Sequence, residues 1–377
     1  MGAGVYIHIP FCIRKCRYCS FNSVPFDKDQ ASAYITALDF EIIETSGVLR
    51  GIKPTTLYIG GGTPTVIPQG DLLKLIGFIY KRFDLTEGTE STIEANPGTL
   101  GGLDLGALRA TGINRVSLGV QSFDLAELKL LGRTHGPDEV VVSVKRLREA
   151  GFGNVNLDLI YALPGQSLES WAENLKRAID LGPEHVSLYD LTIDEGTALY
   201  TEFRAGRLTL PPEPLQVEMY MHAVETLAGA GYGRYEISNF ALPGRECAHN
   251  LNYWSGGWYV GIGAGAHTYM DGARKGNIES VPEYMEAASR GAATVATSET
   301  LTKAEMEREF IMLGLRKAVG ISLDEYTRCF GDDLIKSRAG RITSLKAEGY
   351  VEIADGMMRL TIKGVLASNS VITELFG

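Results

Sequence analysis

Apolar positions along the chain fall into short β-branched runs separated by stretches with helical spacing. Residues 5–9, 56–59, 92–95, 115–120, 155–160 and 185–188 carry such runs, and each stops near glycine, proline or polar residues, as strands do. Between them, about 29–45, 68–83, 103–110, 137–150 and 167–181 read as helices. In the first of these, Ala33, Ile35, Leu38, Ile42 and Ile43 recur at roughly helical intervals. Strands alternating with helices in this way predict a parallel sheet with helical crossovers. A (β/α) barrel, whole or partial, and an open doubly wound sheet both fit the alternation. The residues that interrupt it favour the barrel. Cys12, 60–64, 96–98, Gln121 and Asp158 onward all sit at or just after strands, and in a parallel barrel those positions gather on one rim, where sites are built. The expected class is therefore α/β, a partial (β/α)6 TIM-like barrel.

The pattern changes after about residue 205. Residues 216–231 read as a helix, and 232–265 are rich in aromatics and glycine. Residues 301–377 look like a small helical module ending in two short runs, 351–353 and 358–361, joined by Asp355-Gly356. An Asp-Gly pair between short strands signals a hairpin, so the module is expected to be winged-helix-like. The expected division is a barrel over 1–205, a barrel extension over 206–300 and the module over 301–377.

Composition narrows the classes. With 377 residues, 45% hydrophobic and 22% charged, the chain can bury a sizeable core. It has no apolar run long enough for a transmembrane segment. Its start, MGAGVYIHIPFC, lacks the layout of a secretory signal, so a cytoplasmic location is expected. A net charge of −10 argues against nucleic acid as a partner. The last module carries eleven basic and eleven acidic residues, whereas a DNA-reading wing is normally basic.

Cysteine changes the picture most. Of five, Cys12, Cys16 and Cys19 crowd into eight residues, while Cys247 and Cys329 stand alone. A disulfide framework prefers even counts in a short secreted chain, so three clustered thiols in a long chain read as metal ligands. Their C-x3-C-x2-C spacing follows a strand that ends near Pro10, which places them on a loop able to wrap one centre. A closed zinc site takes four ligands. A [4Fe–4S] cluster normally takes four thiolates, so three leave one iron with an open position. A non-catalytic zinc module is the plain alternative, and Glu94 with Asp158 could be read as a hydrolytic acid–base pair, although that leaves the cysteines unexplained.

The C-x3-C-x2-C loop resembles the signature of radical S-adenosylmethionine (SAM) enzymes. Gly60–Pro64, 93–98 (IEANPG), 115–123 (RVSLGVQSF), 131–135 (LGRTH) and 158–166 (DLIYALPGQ) resemble the hallmarks of the coproporphyrinogen oxidase-like branch of that family. The resemblance implies that Cys12, Cys16 and Cys19 hold a [4Fe–4S] cluster whose open iron is chelated by SAM. It further implies that Tyr6, Gly61, Gly62 and Thr63 line the methionine part of SAM, with Tyr18 beside the cofactor. Glu94, Gln121, Arg133 and Asp158 would contact its polar groups, and a guanidinium such as Arg133 can hold a carboxylate bidentately.

Two functions compete within the branch: oxygen-independent coproporphyrinogen III oxidase and a haem chaperone. The oxidase pattern has a further cysteine where this chain has Phe21, and it has an N-terminal arm where this chain has 11 residues before Cys12. Residues 249–254 read HNLNYW and resemble the haem-binding HNxxYW motif of the chaperone group. Imidazole is a standard axial ligand of haem iron, and Tyr253 and Trp254 offer flat apolar faces with polar tips. In a helix, His249 and Tyr253 would share a face. His249, Asn250, Tyr253 and Trp254 are thus the expected haem residues. Haem is the expected cargo, with acceptor haem proteins such as respiratory ones as partners and transient membrane contact at the acceptor. Cys247 is read as an inert buried thiol, Cys329 as a packing residue and His8 as structural. His135 is placed near the substrate.

Overall fold

The six runs form parallel strands in a computed structural model that describes residues 2–49 and 51–376. They are β1 (Ala3–Ile9), β2 (Pro54–Gly61), β3 (Glu90–Ala95), β4 (Arg115–Gln121), β5 (Val155–Tyr161) and β6 (His185–Asp190). Each pairs in parallel with the next. The crossovers are α1 (Lys28–Val48), α2 (Gln69–Phe83), α3 (Leu105–Ala110), the pair α4 (Leu125–Leu131) and α5 (Pro137–Glu149), and α6 (Leu168–Asp180). All seven residues of β4 are buried, as expected for a parallel strand covered on both faces. Side chains alternate along it: Val116 and Leu118 enter the apolar core, while Ser117, Gly119 and Gln121 face a cavity inside the barrel.

Beyond β6 come α7 (Ala198–Arg204), α8 (Glu213–Gly229) and α9 (Ala248–Trp254). A seventh parallel strand, β7 (Trp258–Ile262), then adds beside β1. Antiparallel β8 (His267–Met270), β9 (Ala273–Asn277) and β10 (Val295–Thr300) extend that edge, with α10 (Val281–Ser289) between the last two. On the far edge Asn239–Ala241 pairs antiparallel with β6. Among the described residues the two ends of the sheet do not pair, so the barrel is partial, as expected. β7 lies in the stretch read only as aromatic and glycine-rich. Its glycines serve close packing: a Cβ on Gly261 would fall 2.1 Å from the His267 carbonyl oxygen, and one on Gly263 2.7 Å from that of His8.

A buried carboxylate fastens this edge. Glu41 on α1, 6% exposed, accepts hydrogen bonds from Gly263 N (2.8 Å), Asn277 Nδ2 (2.6 Å), Thr294 Oγ1 (3.0 Å) and the Tyr284 hydroxyl. Next to it, Asn22 Nδ2 donates to the carbonyls of Ala264 (3.1 Å) and Glu279 (2.8 Å). The exit of the cysteine loop is thereby tied to a segment more than 240 residues downstream.

The C-terminal module opens with α11 (Lys303–Gly314) and contains the expected hairpin, Val351–Ala354 with Met357–Leu360. Asp355 and Gly356 take φ of 52° and 74°, the left-handed pair that a two-residue hairpin turn requires. Ile321–Ser322 adds a third strand. Cys329 corrects its sequence reading: its thiol is exposed, because it lies on the outward side of the short helix Leu323–Phe330, whose inward residue is Tyr326.

Candidate functional site

At the C-terminal rim, the strand ends enclose a cavity of about 330 Å3. Cys12, Cys16, Cys19 and Tyr18 reach it from the loop after β1. Tyr58, Gly61, Gly62 and Thr63 come from β2, Glu94 and Asn96 from β3, Ser117 and Gln121 from β4, Asp158 from β5, and Asp190 from β6. Arg133, in the turn after α4, closes the wall.

The glycine run holds the cysteine loop by its backbone. Gly62 N donates to Ile9 O (2.8 Å) and Thr63 N to Phe11 O (2.8 Å). There is no room for side chains: a Cβ on Gly61, at φ 108°, would fall 2.3 Å from the His8 ring, and one on Gly62 2.7 Å from Phe11 O. Arg17 clamps the other side of the loop, donating to Leu130 O (3.1 Å) and pairing with Glu202.

The three thiols line the cavity side by side, and polar hydrogens are aimed at two of them. Arg133 NH1 lies 3.3 Å from Cys16 Sγ, and the Thr63 hydroxyl 3.7 Å from Cys12 Sγ. Among the described residues no three His, Cys, Asp or Glu side chains converge as a single ion requires. A closed zinc site needs four ligands, whereas three thiols with polar hydrogens aimed at sulfur suit a cluster that keeps one iron open. The donor set thus fits the expected [4Fe–4S] group. Burial is the main influence raising the Cys12 and Cys19 thiols above their ordinary range.

Acidic groups form the opposite wall. Glu94 accepts from Gly61 N (2.9 Å) and the Tyr58 hydroxyl (2.8 Å), and burial pushes its carboxyl up to about 7. Asp158, also raised by burial, accepts from Ser117 Oγ (3.0 Å) and Asn156 Nδ2 (2.8 Å). Burial brings Asp190 to about 6. Such a wall suits an ammonium and sugar hydroxyls. Gln121 stands where β4 slips register against β5, at φ 67°, a strained conformation of the kind found at functional sites.

Two expected ligand contacts differ in detail. Arg133 is already engaged with Cys16, Asn96 and the Gly119 carbonyl, so its present contacts position the cysteine loop. Tyr6 is not among the cavity's lining residues; its hydroxyl is 2.9 Å from His8 Nδ1. His8 Nε2 meets Asn22 O at 2.9 Å, which fits a structural histidine. His135 is buried against Val120 O (3.1 Å) and lines a smaller pocket beside Arg133. Sequence reasoning missed Tyr58 and placed Asn96 on the rim without giving it a role. Asn96 donates to Thr63 Oγ1 (2.8 Å) and accepts from Arg133, linking three rim elements. Its place inside the IEANPG stretch was the available signal.

The HNLNYW segment lies elsewhere. It forms α9, which covers the N-terminal mouth of the partial barrel and packs on β1, β2 and β7. His249 points inward and is 1% exposed. Its Nδ1 is 2.7 Å from Thr56 Oγ1 and its Nε2 3.0 Å from the Tyr253 hydroxyl, so the expected shared face exists. Burial lowers its pKa to about 3, which keeps the imidazole neutral, the form that binds metals. Asn250, Tyr253 and Trp254 are half-buried, and Arg316 of the C-terminal module stacks over Trp254 at 5.7 Å. Cys247 is fully buried, and its thiol is pushed up to about 12 by burial.

Comparison with known proteins places these features in context. Residues 6–178 match the Radical SAM superfamily and residues 301–367 the HemN C-terminal domain. The chain is 37% identical to "Heme chaperone HemW" of Bacillus subtilis, covering 99% of this chain and 98% of that one. It is 41% identical to the protein of that name from Escherichia coli, over 71% of each chain. Coproporphyrinogen III oxidase (HemN) from Escherichia coli, a radical SAM enzyme of known structure, shares the fold with a TM-score of 0.84 at 24% identity, over 99% of this chain and 90% of that one.

Proposed function

Since this chain belongs to the HemW family within the radical SAM superfamily, we propose that it is a haem chaperone, binding haem and handing it to acceptor haem proteins. α9 carries the reading: it presents a buried, neutral His249 among tyrosines, apart from the cysteine cavity. Phe21, exposed at the cavity mouth, stands where the oxidase pattern has a further cysteine.

In this reading Cys12, Cys16 and Cys19 hold the [4Fe–4S] cluster. Gly61, Gly62, Thr63, Tyr18, Glu94, Gln121 and Asp158 surround SAM, and Tyr6 and Arg133 support that site from behind. Bound there, the cluster and SAM would supply one-electron reductive chemistry at the sulfonium. The residues of this chain bind and orient: Glu94 and Asp158 present carboxylates to ammonium and hydroxyl groups, and Arg133 and Thr63 hold the loop that carries the thiols. His249 would ligate the haem iron, and Asn250, Tyr253 and Trp254 would flank the haem. One ring nitrogen must exchange its present partner, Thr56 or Tyr253, for iron, so α9 shifts when haem binds. No described helix is long and apolar enough to cross a membrane. The chaperone works from the cytoplasm and meets a membrane only where its acceptor, such as a respiratory haem protein, resides there.

Haem titration of the anaerobically reconstituted protein, followed by its Soret band, tests this. Wild type should bind haem, and His249→Gln should weaken binding by at least about tenfold, as loss of an axial ligand demands. Unchanged affinity in the variant would remove His249 from the role. Turnover of coproporphyrinogen III with SAM and reductant would return the chain to the oxidase.

A further inference from the structure

A guanidinium lies buried beneath α9. Arg115 opens β4 at the N-terminal mouth of the barrel and is 1% exposed. Its Nε has no hydrogen-bond partner, and among the described residues no carboxylate forms an ion pair with it. Glu90 is close enough to act on its charge but is spent elsewhere. One Glu90 oxygen accepts from His249 N (3.0 Å) and the Cys247 thiol (3.5 Å), and the other from Ala248 N (3.0 Å). A buried cation without a direct counter-charge is costly, and surface exposure of the Arg115 head would relieve that cost. The fold keeps it inside.

The surroundings say what would complete it. Strand register sets Tyr58, Thr92 and Arg115 side by side at one level of the barrel, and the guanidinium's charge acts on Cys247, Tyr58, Tyr235 and His249. His249 is stacked on Tyr58 with centroids 5.2 Å apart, and Tyr253 meets His249 at 4.8 Å and Tyr259 at 4.6 Å. One place therefore combines a neutral imidazole for a metal, aromatic faces for a flat ring, and an unpaired cation for a carboxylate. Those are the three chemistries of an iron porphyrin bearing propionates. α9 is a seven-residue helix bounded by Gly244 and Gly256 at φ of 75° and 63°, so the backbone on both sides can absorb a change of angle.

We propose that Arg115 is the propionate anchor of the haem site, pairing with a carboxylate of the haem whose iron His249 ligates once α9 lifts from the barrel mouth. This rests on the haem-chaperone reading and adds to it a residue outside the HNxxYW motif. The pairing also gives the buried charge a partner: the bound cargo completes it, and release of the cargo leaves it without one.

The test uses the reconstituted full-length protein, with haem and haem dimethyl ester presented in the same detergent micelles and binding read from the Soret band. The ester keeps iron and macrocycle and lacks the negative charges. Wild type should prefer haem by about tenfold or more, as a charge-assisted pair predicts. Arg115→Gln should bind the two porphyrins equally, and Arg115→Lys should keep part of the preference. A wild type that binds both alike overturns the proposal, even if Arg115→Gln fails to fold. So does an Arg115→Gln protein that keeps the full preference. If neither porphyrin gives a Soret shift with wild type, the haem-chaperone reading itself falls.

Discussion

Tyr58 and His249 lie ring on ring, with centroids 5.2 Å apart and planes 30° apart. The hydroxyl of the same tyrosine donates to Glu94 at 2.8 Å. One side chain thus touches both the wall of the cysteine cavity and the inward face of α9. Tyr58→Phe should separate these contacts. It removes a donor from a buried carboxyl while keeping the ring under His249, so SAM affinity should fall about tenfold while haem affinity stays within about twofold. Calorimetry with SAM and Soret titration with haem check the two halves; equal losses for both ligands would defeat the idea.

Glu94 predicts a pH dependence. Its carboxyl is held up to about 7, chiefly by burial, so below that pH the free protein carries a proton that must leave before an ammonium can pair with it. Affinity for SAM should rise about tenfold per unit as pH climbs toward 7 and level off above it. In the absence of ligand the sign reverses for stability. The folded state keeps its proton to higher pH than the unfolded chain, so this group's contribution is greatest below the ordinary carboxylate range and is lost as pH rises through about 7. Glu94→Gln should flatten both profiles, and a wild-type SAM affinity independent of pH between 5 and 8 would contradict the assignment.

The cysteines occupy three environments. Cys12, Cys16 and Cys19 share the cavity, Cys247 is enclosed and Cys329 is open to solvent. Replacing any one of the first three with serine should abolish stable iron–sulfur absorption after reconstitution, whereas Cys329→Ser should leave it intact. In the reconstituted protein a thiol reagent should label Cys329 first and Cys247 last. Fast labelling of Cys247 would show that α9 opens readily without cargo.

Much of the barrel is readable from residues alone, because parallel strands buried on both faces leave continuous apolar runs and their ends gather at one rim. Arg115–Gln121 shows both the strength and the limit of that reading. Its apolar positions announce a strand, yet nothing in them tells that Arg115 is shut in below while Gln121 strains at the cavity above. β7 escaped notice because its partner, β1, is some 250 residues away and a five-residue strand has little local signature. His249 and Tyr253 read correctly as one helical face, but helical spacing does not say which face turns inward. Chain order places Arg133 beside the ligand but cannot show that Asn96, Gly119 and Cys16 also engage its head.

Glu41 offers a test of how the sheet edge is fastened. It is a lone carboxylate accepting from four partners on four later segments. Glu41→Ala strands those donors and should cost about 3–5 kcal/mol, lowering the melting temperature by several degrees. Glu41→Gln should cost less, since it keeps an acceptor. A thermal melt of the reconstituted protein decides it, and an unchanged midpoint for Glu41→Ala would show the edge is held by other means.

The tether from Asn22 to Ala264 and Glu279 has a bearing on biogenesis. On the ribosome the three thiols emerge more than 200 residues ahead of the chain that steadies their loop and of the strand that flanks β1. Iron delivered to a nascent chain would therefore meet an unbraced loop. Metallation belongs after synthesis, and a fragment released before Trp258 should fail to retain iron where the full chain succeeds.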